Sequence, residues 1–321
     1  MTLARAFWTV APGIGELRAE RLGTDGLLVR TLASGISRGT ESIVFAGRVP
    51  PSQYAAMRAP LMAGTFPFPV KYGYSAVGLT EHGVRVFVLH PHQDRFHAPP
   101  GMCVKVPETV PTARAVLAAN METALNVCWD AAPVAGERIM VVGAGVVGLL
   151  VAALLARVPA TGVTLVDPDP ARVLSAQRLG CTCVLPEVAP GEQELIVHAS
   201  GTEAGLRLAL DRAAFEARII EASWFADRVP ALPLGEAFHA RRLRIVSSQV
   251  GTIAAPMRGR RTYRERLALA LDLLADPMYD ALLEPPTDFA DLPRAMPHLL
   301  AAGLCHVVRY EGMPAAVSVP P

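Results

Sequence analysis

The chain has 321 residues, 51% of them hydrophobic and 18% charged, and its net charge is +1. That composition excludes a disordered chain and allows two buried cores. It also leaves no overall field to gather nucleic acid or an anionic membrane, so neither is expected as a partner.

In chain order, residues 1–111 read as short strands between Gly and Pro turns. Leu27 to Leu32, Val77 to Thr80 and Val84 to Leu89 are β-rich runs. Pro50, Pro51, Pro67, Pro69, Pro99 and Pro100 leave little room for long helices. The pattern changes near Pro111. Thr112 to Ala132 is Ala-rich and reads as one helix capped by a hydroxyl residue. Strands at Arg138–Val142, Gly162–Asp167, Thr182–Leu185, Leu195–Ala199, Arg218–Glu221 and Arg244–Ser248 then alternate with helices, the first of these running to Val158. Such alternation predicts parallel βαβ units in a doubly wound sheet. An amphipathic helix at Tyr263–Ala275, a helix through Phe289, Leu292 and Met296, and a strand at Cys305–Tyr310 close the chain. The expected fold class is α/β, with a β domain over 1–111, a Rossmann domain over 112–250 and a return to the first domain over 251–321.

Ile139 to Ala156 is uncharged and almost wholly apolar, which raises a membrane span. Its glycines argue instead for a buried strand, a turn and a buried helix. Gly143, Gly145 and Gly148 follow the apolar strand in a GxGxxG pattern, and Asp167 ends the next strand 24 positions after Gly143. Gly143 permits the tight turn, and Gly145 lets the amides around Val146 and Val147 approach a pyrophosphate. Gly148 lets helix and strand pack closely. Asp167 would accept hydrogen bonds from ribose hydroxyls and repel a 2′-phosphate, so NAD is the expected cofactor. Arg172 is a candidate at the adenine flank, and Ser200, after the fourth strand, completes the candidate cofactor set.

Five cysteines (Cys103, Cys128, Cys181, Cys183 and Cys305) form no CxxC pair, and free thiols in a reducing cytoplasm are expected. Met1 to Glu16 lacks the basic and apolar pattern of a signal peptide.

The order of parts resembles the medium-chain dehydrogenase/reductase family. Its signatures here are Ser34 to Glu41, Tyr72 to Gly78, Gly83 to Val86, and Val163 to Asp167 with Arg172. The resemblance spans essentially the whole chain. It implies a GroES-like first domain, an inserted Rossmann domain, a small-molecule substrate and a homodimer. Zinc-dependent members carry Cys in the first signature and Gly-His-Glu in the second. This chain has Ser37 with Arg38, and Gly73-Tyr74-Ser75, while only Cys103 lies in the region of the structural zinc lobe. Hydroxyls are poor substitutes for the usual zinc ligands, so both zinc sites are expected to be lost. Gly35 to Glu41, followed by Gly47 to Pro51, looks most like the zinc-lacking branch that contains bacteriochlorophyllide a dehydrogenase.

Without zinc, side chains must move the hydroxyl proton of an alcohol. Thr40 matches the family's relay hydroxyl, Tyr74 replaces the zinc-binding His, and Ser37, Glu41 and Glu122 lie near matching positions. His90, His92 and His97 fall within eight residues. They read either as a loop over the substrate, with His92 as proton-transfer candidate, or as metal ligands. Arg258, Arg260, Arg261, Arg264 and Arg266 fall within nine residues. Either this is a solvated helix start, or Arg258, Arg260 and Arg261 hold an anionic substrate group. The leading expectation is an NAD(H)-dependent alcohol/carbonyl oxidoreductase. Quinone or enoyl reduction, and a non-catalytic NAD-binding protein, are the alternatives.

Overall fold

The strand Leu27–Ile36, buried along most of its length, organises the first of two units in the computed structural model, which describes residues 3–313. This unit comprises Met1–Ala119 and Leu267–Pro321; the second is Asn120–Arg266. In the first unit a sheet runs in the order Leu283–Asp288, Cys305–Arg309, Leu27–Ile36, Ala76–Thr80, Arg85–Val88, Val104–Lys105. Arg95–Ala98 also pairs with Leu27–Ile36, which lets one strand carry two neighbours along its length. A smaller sheet is built on the hairpin Leu3–Ala11 and Ile14–Arg21. Val29, Val86, Val88 and Phe96 fill one core; Phe7, Ile36, Phe45, Phe289, Leu292 and Val308 fill another.

The C-terminal segment is held by polar groups as well as by apolar packing. Arg38 donates to the carbonyls of Leu300, Ala301 and Gly303, where the helix Leu292–Ala301 ends. Terminal carbonyls have no intrahelical donor, so a guanidinium there satisfies them and meets the negative end of the dipole.

Five local expectations are corrected. The helix over 112–132 is two helices, Thr112–Ala115 and Ala118–Ala131. Thr112 is not the cap; Pro111 occupies that position, and the Thr112 hydroxyl accepts from Arg85 instead. The first short helix also belongs to the first unit. Arg114 grips both oxygens of Asp280 at 2.7 Å, and Ser75 donates to the Val116 carbonyl. The domain break therefore falls after Ala119 instead of before Thr112. Likewise the return falls at Leu267, because Arg266 anchors the preceding loop to the second unit. Finally, Leu283–Asp288 is a strand where the sequence analysis assigned none, and it contains Pro285 and Pro286. They are tolerated at the sheet edge, where a missing N–H breaks no interior ladder.

The second unit is a six-stranded parallel sheet in the order Thr182–Val184, Gly162–Val166, Arg138–Val142, Gln193–His198, Ala213–Glu221, Arg244–Ser247. This is the doubly wound Rossmann order, with its topological switch between Arg138–Val142 and Gln193–His198. Ile139 to Ala156 is the central strand and the helix Val146–Leu155, which stops short of Val158. Leu149, Leu150, Val151 and Ala152 are fully buried in this helix, which explains its apolar composition. No helix among the described residues is long and apolar enough to cross a membrane.

Candidate functional site

Two groups of polar residues assemble, one in each unit. In the second unit the strand Arg138–Val142 ends in Gly143, whose φ of +105° is open to glycine alone in practice. A Cβ there would lie 2.7 Å from the Ser200 amide nitrogen, so the ends of the first and fourth Rossmann strands nearly touch. A Cβ on Gly148 would fall inside van der Waals contact of the Gly143 carbonyl oxygen. By contrast, a Cβ on Gly145 would meet only open space. Gly145 is also the N-cap of the helix Val146–Leu155, with no side-chain cap. The amides of Val146, Val147 and Gly148 therefore lack intrahelical acceptors and face that space with the positive end of the dipole.

Asp167, half-buried, follows the strand Gly162–Val166. Its Oδ2 accepts from the Ala144 amide at 2.8 Å, and its Oδ1 from the Asp169 amide at 2.9 Å. Those bonds fix the carboxylate and leave lone pairs for sugar hydroxyls. Arg172 pairs with Asp169 at 3.2 Å, so its charge is partly balanced within its own turn. These residues fit a dinucleotide with a free adenosine ribose.

In the first unit, Ser37, Thr40, Glu41, Tyr74 and His92 come together although they span 55 positions. Glu41 is 3% exposed. Its Oε1 accepts from the Ser37 amide at 2.7 Å, and its Oε2 lies 2.9 Å from His92 Nε2. His92 Nδ1 lies 2.7 Å from Ser34 Oγ, which is 3.0 Å from the Tyr310 hydroxyl. Gly73, at φ +121°, allows the close approach, since a Cβ there would meet the His92 ring at 3.1 Å. Tyr74 is half-buried beside this chain, and its phenol bonds the Ser37 and Thr40 hydroxyls. Burial, and next the Glu41 charge, push its pKa up to about 12.

The histidine-loop reading needs correction. His92 is 1% exposed with both ring nitrogens engaged, so it cannot itself exchange a proton with a substrate. His90 stacks on Phe96 at 3.6 Å between ring centroids, and burial holds it neutral by lowering its pKa to about 3. His97 sits apart on the strand Arg95–Ala98, facing the Gly26 carbonyl. Among the described residues no group of three His, Cys, Asp or Glu side chains is placed to hold a metal ion, so the alternative metal site is not formed by these rings.

Glu122 belongs to the second unit. It is buried in the second unit against Arg266, with Nε to Oε1 at 3.0 Å. Arg266 also binds Asn126 Oδ1 and the Val250 carbonyl, so one member of the arginine cluster is structural. Arg258, Arg260 and Arg261 are exposed. Zinc does not fit the residues at the family's catalytic position. Ser75 is turned to a carbonyl, Glu41 is engaged by Ser37 and His92, and Ser37 and Tyr74 offer only hydroxyls.

Ser34 and Tyr310 were missed from sequence. Ser34 lies in an otherwise apolar buried stretch of its strand, which is a signal for an internal hydrogen bond.

No family model and no curated protein matches the chain. Solved structures do. L-idonate 5-dehydrogenase from Escherichia coli is 12% identical with a TM-score of 0.78, covering 96% of this chain and 98% of its own. Acetophenone reductase from Geotrichum candidum, in complex with NAD, is 15% identical with a TM-score of 0.76, covering 96% and 97%. 2R,3R-butanediol dehydrogenase from Bacillus subtilis is 16% identical with a TM-score of 0.73, covering 95% and 99%. Across nearly its whole length, this chain has the fold of these dehydrogenases: a GroES-like unit and a parallel-sheet Rossmann unit.

Proposed function

We propose that the protein is an NAD(H)-dependent oxidoreductase of alcohols and carbonyls that works without zinc. The carrying observation is the open, uncapped helix start at Gly145 beside a fixed Asp167, at the switch point of a Rossmann sheet. Gly143 to Gly148 would hold the pyrophosphate and Asp167 the adenosine ribose. NAD(H), when bound, supplies a two-electron hydride acceptor or donor. Tyr74 supplies the proton: a phenol with a pKa of about 12 stays protonated at neutral pH and donates to a carbonyl oxygen during reduction. Ser37 and Thr40 orient that phenol. The loss of zinc ligands and the run Gly35 to Glu41 support placement near the zinc-lacking branch of the resembled family. Five free thiols favour a reducing cytoplasm.

The substrate reading is an anionic carbonyl or alcohol, supported by exposed Arg258, Arg260 and Arg261. One experiment covers these points. NADH should bind about tenfold or more tighter than NADPH, ~1.4 kcal/mol, and Asp167→Ser should narrow the gap. Turnover of a carbonyl panel should survive chelators. Single Arg→Ala changes at 258, 260 or 261 should raise KM by about ten- to a hundredfold, only for panel members bearing carboxylate or phosphate. Tighter NADPH binding overturns the cofactor assignment, chelator-sensitive activity overturns zinc independence, and NADH binding without turnover indicates a sensor.

A homodimer is supported by the edge strand Arg244–Ser247, whose Ile245 and Val246 are 36% and 42% exposed. An exposed apolar edge recruits another strand unless it is covered, and a two-fold pairing of identical edges covers both. Light scattering should give twice the chain mass, and Val246→Lys should give monomers. A monomeric parent protein excludes this interface.

A further inference from the structure

A histidine 2.9 Å from a buried carboxylate is ordinarily a cation, and in the first unit the hydroxyls behind His92 decide otherwise. Tyr310, Ser34, His92 and Glu41 are all buried, so none of their hydrogens is handed to bulk water. Among the described residues the Tyr310 hydroxyl has one hydrogen-bond partner, Ser34 Oγ at 3.0 Å. Ser34 Oγ has two, that hydroxyl and His92 Nδ1 at 2.7 Å.

These bonds run in one direction. Tyr310 donates to Ser34, because the reverse leaves a buried phenol hydrogen without an acceptor. The Ser34 hydrogen then goes to His92 Nδ1, which must offer a lone pair. A ring unprotonated at Nδ1 is neutral and carries its hydrogen on Nε2, where Glu41 Oε2 accepts it. Glu41 Oε1 accepts from the Ser37 amide, and two donated hydrogens favour the ionised carboxylate. An imidazolium would need a hydrogen on Nδ1 as well, and either the Ser34 or the Tyr310 hydrogen would then have nowhere to go.

Around this pair stand Tyr72 and Tyr74, then Cys305 and Tyr310 from the last strand and its end, and His90 and Asp94 from the chain flanking His92. Burial is the first cause that raises the three tyrosines and the thiol above their usual range, and the Glu41 charge raises each of them further. His90 is neutral, and Lys71, which acts on it, is paired with Glu20 at 2.6 Å. Asp94 is paired with Arg5. No cation among these groups is left to offset Glu41, so its charge reaches Tyr74 uncompensated.

We propose that Ser34 is a positioning residue of the proton-donor site: it fixes His92 as the neutral Nε2–H tautomer, so that Glu41 stays an uncompensated carboxylate and holds the Tyr74 phenol protonated. This rests on the reading of Tyr74 as the proton donor. An imidazole free at Nδ1 would change its charge near neutral pH and switch that field with it. As a cation it would cancel the Glu41 charge and make the phenol more acidic. The Ser34 hydrogen keeps the field constant.

The test reads the ring directly, in the full chain without substrate or cofactor. Two-bond ¹H–¹⁵N spectra of histidine-labelled protein are recorded from about pH 5 to about pH 8, with His92 assigned through its contact with the Phe7 ring. Parent His92 should show an unprotonated Nδ1 and a protonated Nε2 throughout, with no titration. Tyr310→Phe keeps the Ser34 hydrogen and should leave those signals in the same state. Ser34→Ala removes it, so nothing favours the neutral ring over an ion pair with Glu41, and His92 should titrate. On the acid side of that titration, kcat/KM for carbonyl reduction by Ser34→Ala should rise about two- to tenfold, because a more acidic phenol donates faster. The parent should show no such step. A merely structural role would move both variants alike and add no step. A parent imidazolium, a parent ring proton on Nδ1, or a Ser34→Ala ring as silent as the parent's would each overturn the proposal. The parent spectrum decides even where Ser34→Ala does not fold. Parent-like turnover in Tyr74→Phe would instead refute the donor reading, whatever the state of the ring.

Discussion

Replacing Glu41 by Ala is expected to lower the melting temperature of the protein by about 6–12 °C and to abolish turnover. The carboxylate joins the Ser37 amide to the His92 ring inside a nearly sealed site. Removing it leaves two polar groups without an acceptor, roughly 3 kcal/mol in sum. For a unit of 150–250 residues, each kcal/mol moves the midpoint by about 2–4 °C. Glu41→Gln separates fold from chemistry. Its amide can accept from Ser37 and donate to His92, so it should melt within a few degrees of the parent. What it loses is charge. Burial is the larger reason that Tyr74 titrates near 12, and the Glu41 charge is the second. A negative neighbour disfavours the phenolate, so neutralising it must lower the phenol pKa. The alkaline limb of kcat/KM for carbonyl reduction should therefore move to lower pH in Glu41→Gln. Tyr74→Phe should lose about 10²–10⁴-fold in rate with no such limb. A Glu41→Gln enzyme whose alkaline limb stays in place would leave Glu41 a purely structural residue.

Legibility in the sequence tracks how local each feature is. The Gly143 turn, its flanking strand and helix, and Asp167 lie within one βαβ unit, so spacing and apolar runs suffice to find them. The first-unit group is different. Ser34 meets His92 from 58 positions away and Tyr310 from 276 positions away, and no periodicity reports such a pairing. Thr40 and Tyr74 were reachable only through a family resemblance, as was Glu122. Its neighbour Arg266 looked like one of several solvated or substrate-binding arginines. Only the fold shows that it is buried against Glu122 and Asn126 while Arg258, Arg260 and Arg261 stay exposed. His198 and Glu221, whose side chains meet at 2.7 Å in the Rossmann unit, fall between these cases. Each is a polar residue closing an apolar strand, and adjacent parallel strands put such ends side by side, but the register is needed to pair them.

The glycine turn gives a result that distinguishes packing from binding within four residues. Gly148→Ala is expected to destabilise the Rossmann unit by about 3 kcal/mol or more, because its Cβ would meet the Gly143 carbonyl, a backbone atom that cannot rotate away. The helix Val146–Leu155 would have to lift from the central strand, and Leu149, Leu150 and Val151 are fully buried beneath it. The helix-propensity gain of alanine, at most about 1 kcal/mol, does not offset that. Gly145→Ala meets no such obstacle. Its φ of −74° suits any residue, and a Cβ there enters open space, so the variant should melt with the parent. That open space is where a pyrophosphate would approach the amides of Val146 and Val147. NADH affinity should accordingly fall about tenfold or more, ~1.4 kcal/mol, in a protein that is otherwise intact. Thermal melts and NADH fluorescence titrations on both variants supply the comparison. If Gly145→Ala binds NADH as the parent does, the cofactor does not pass over this helix start, and the turn serves packing alone.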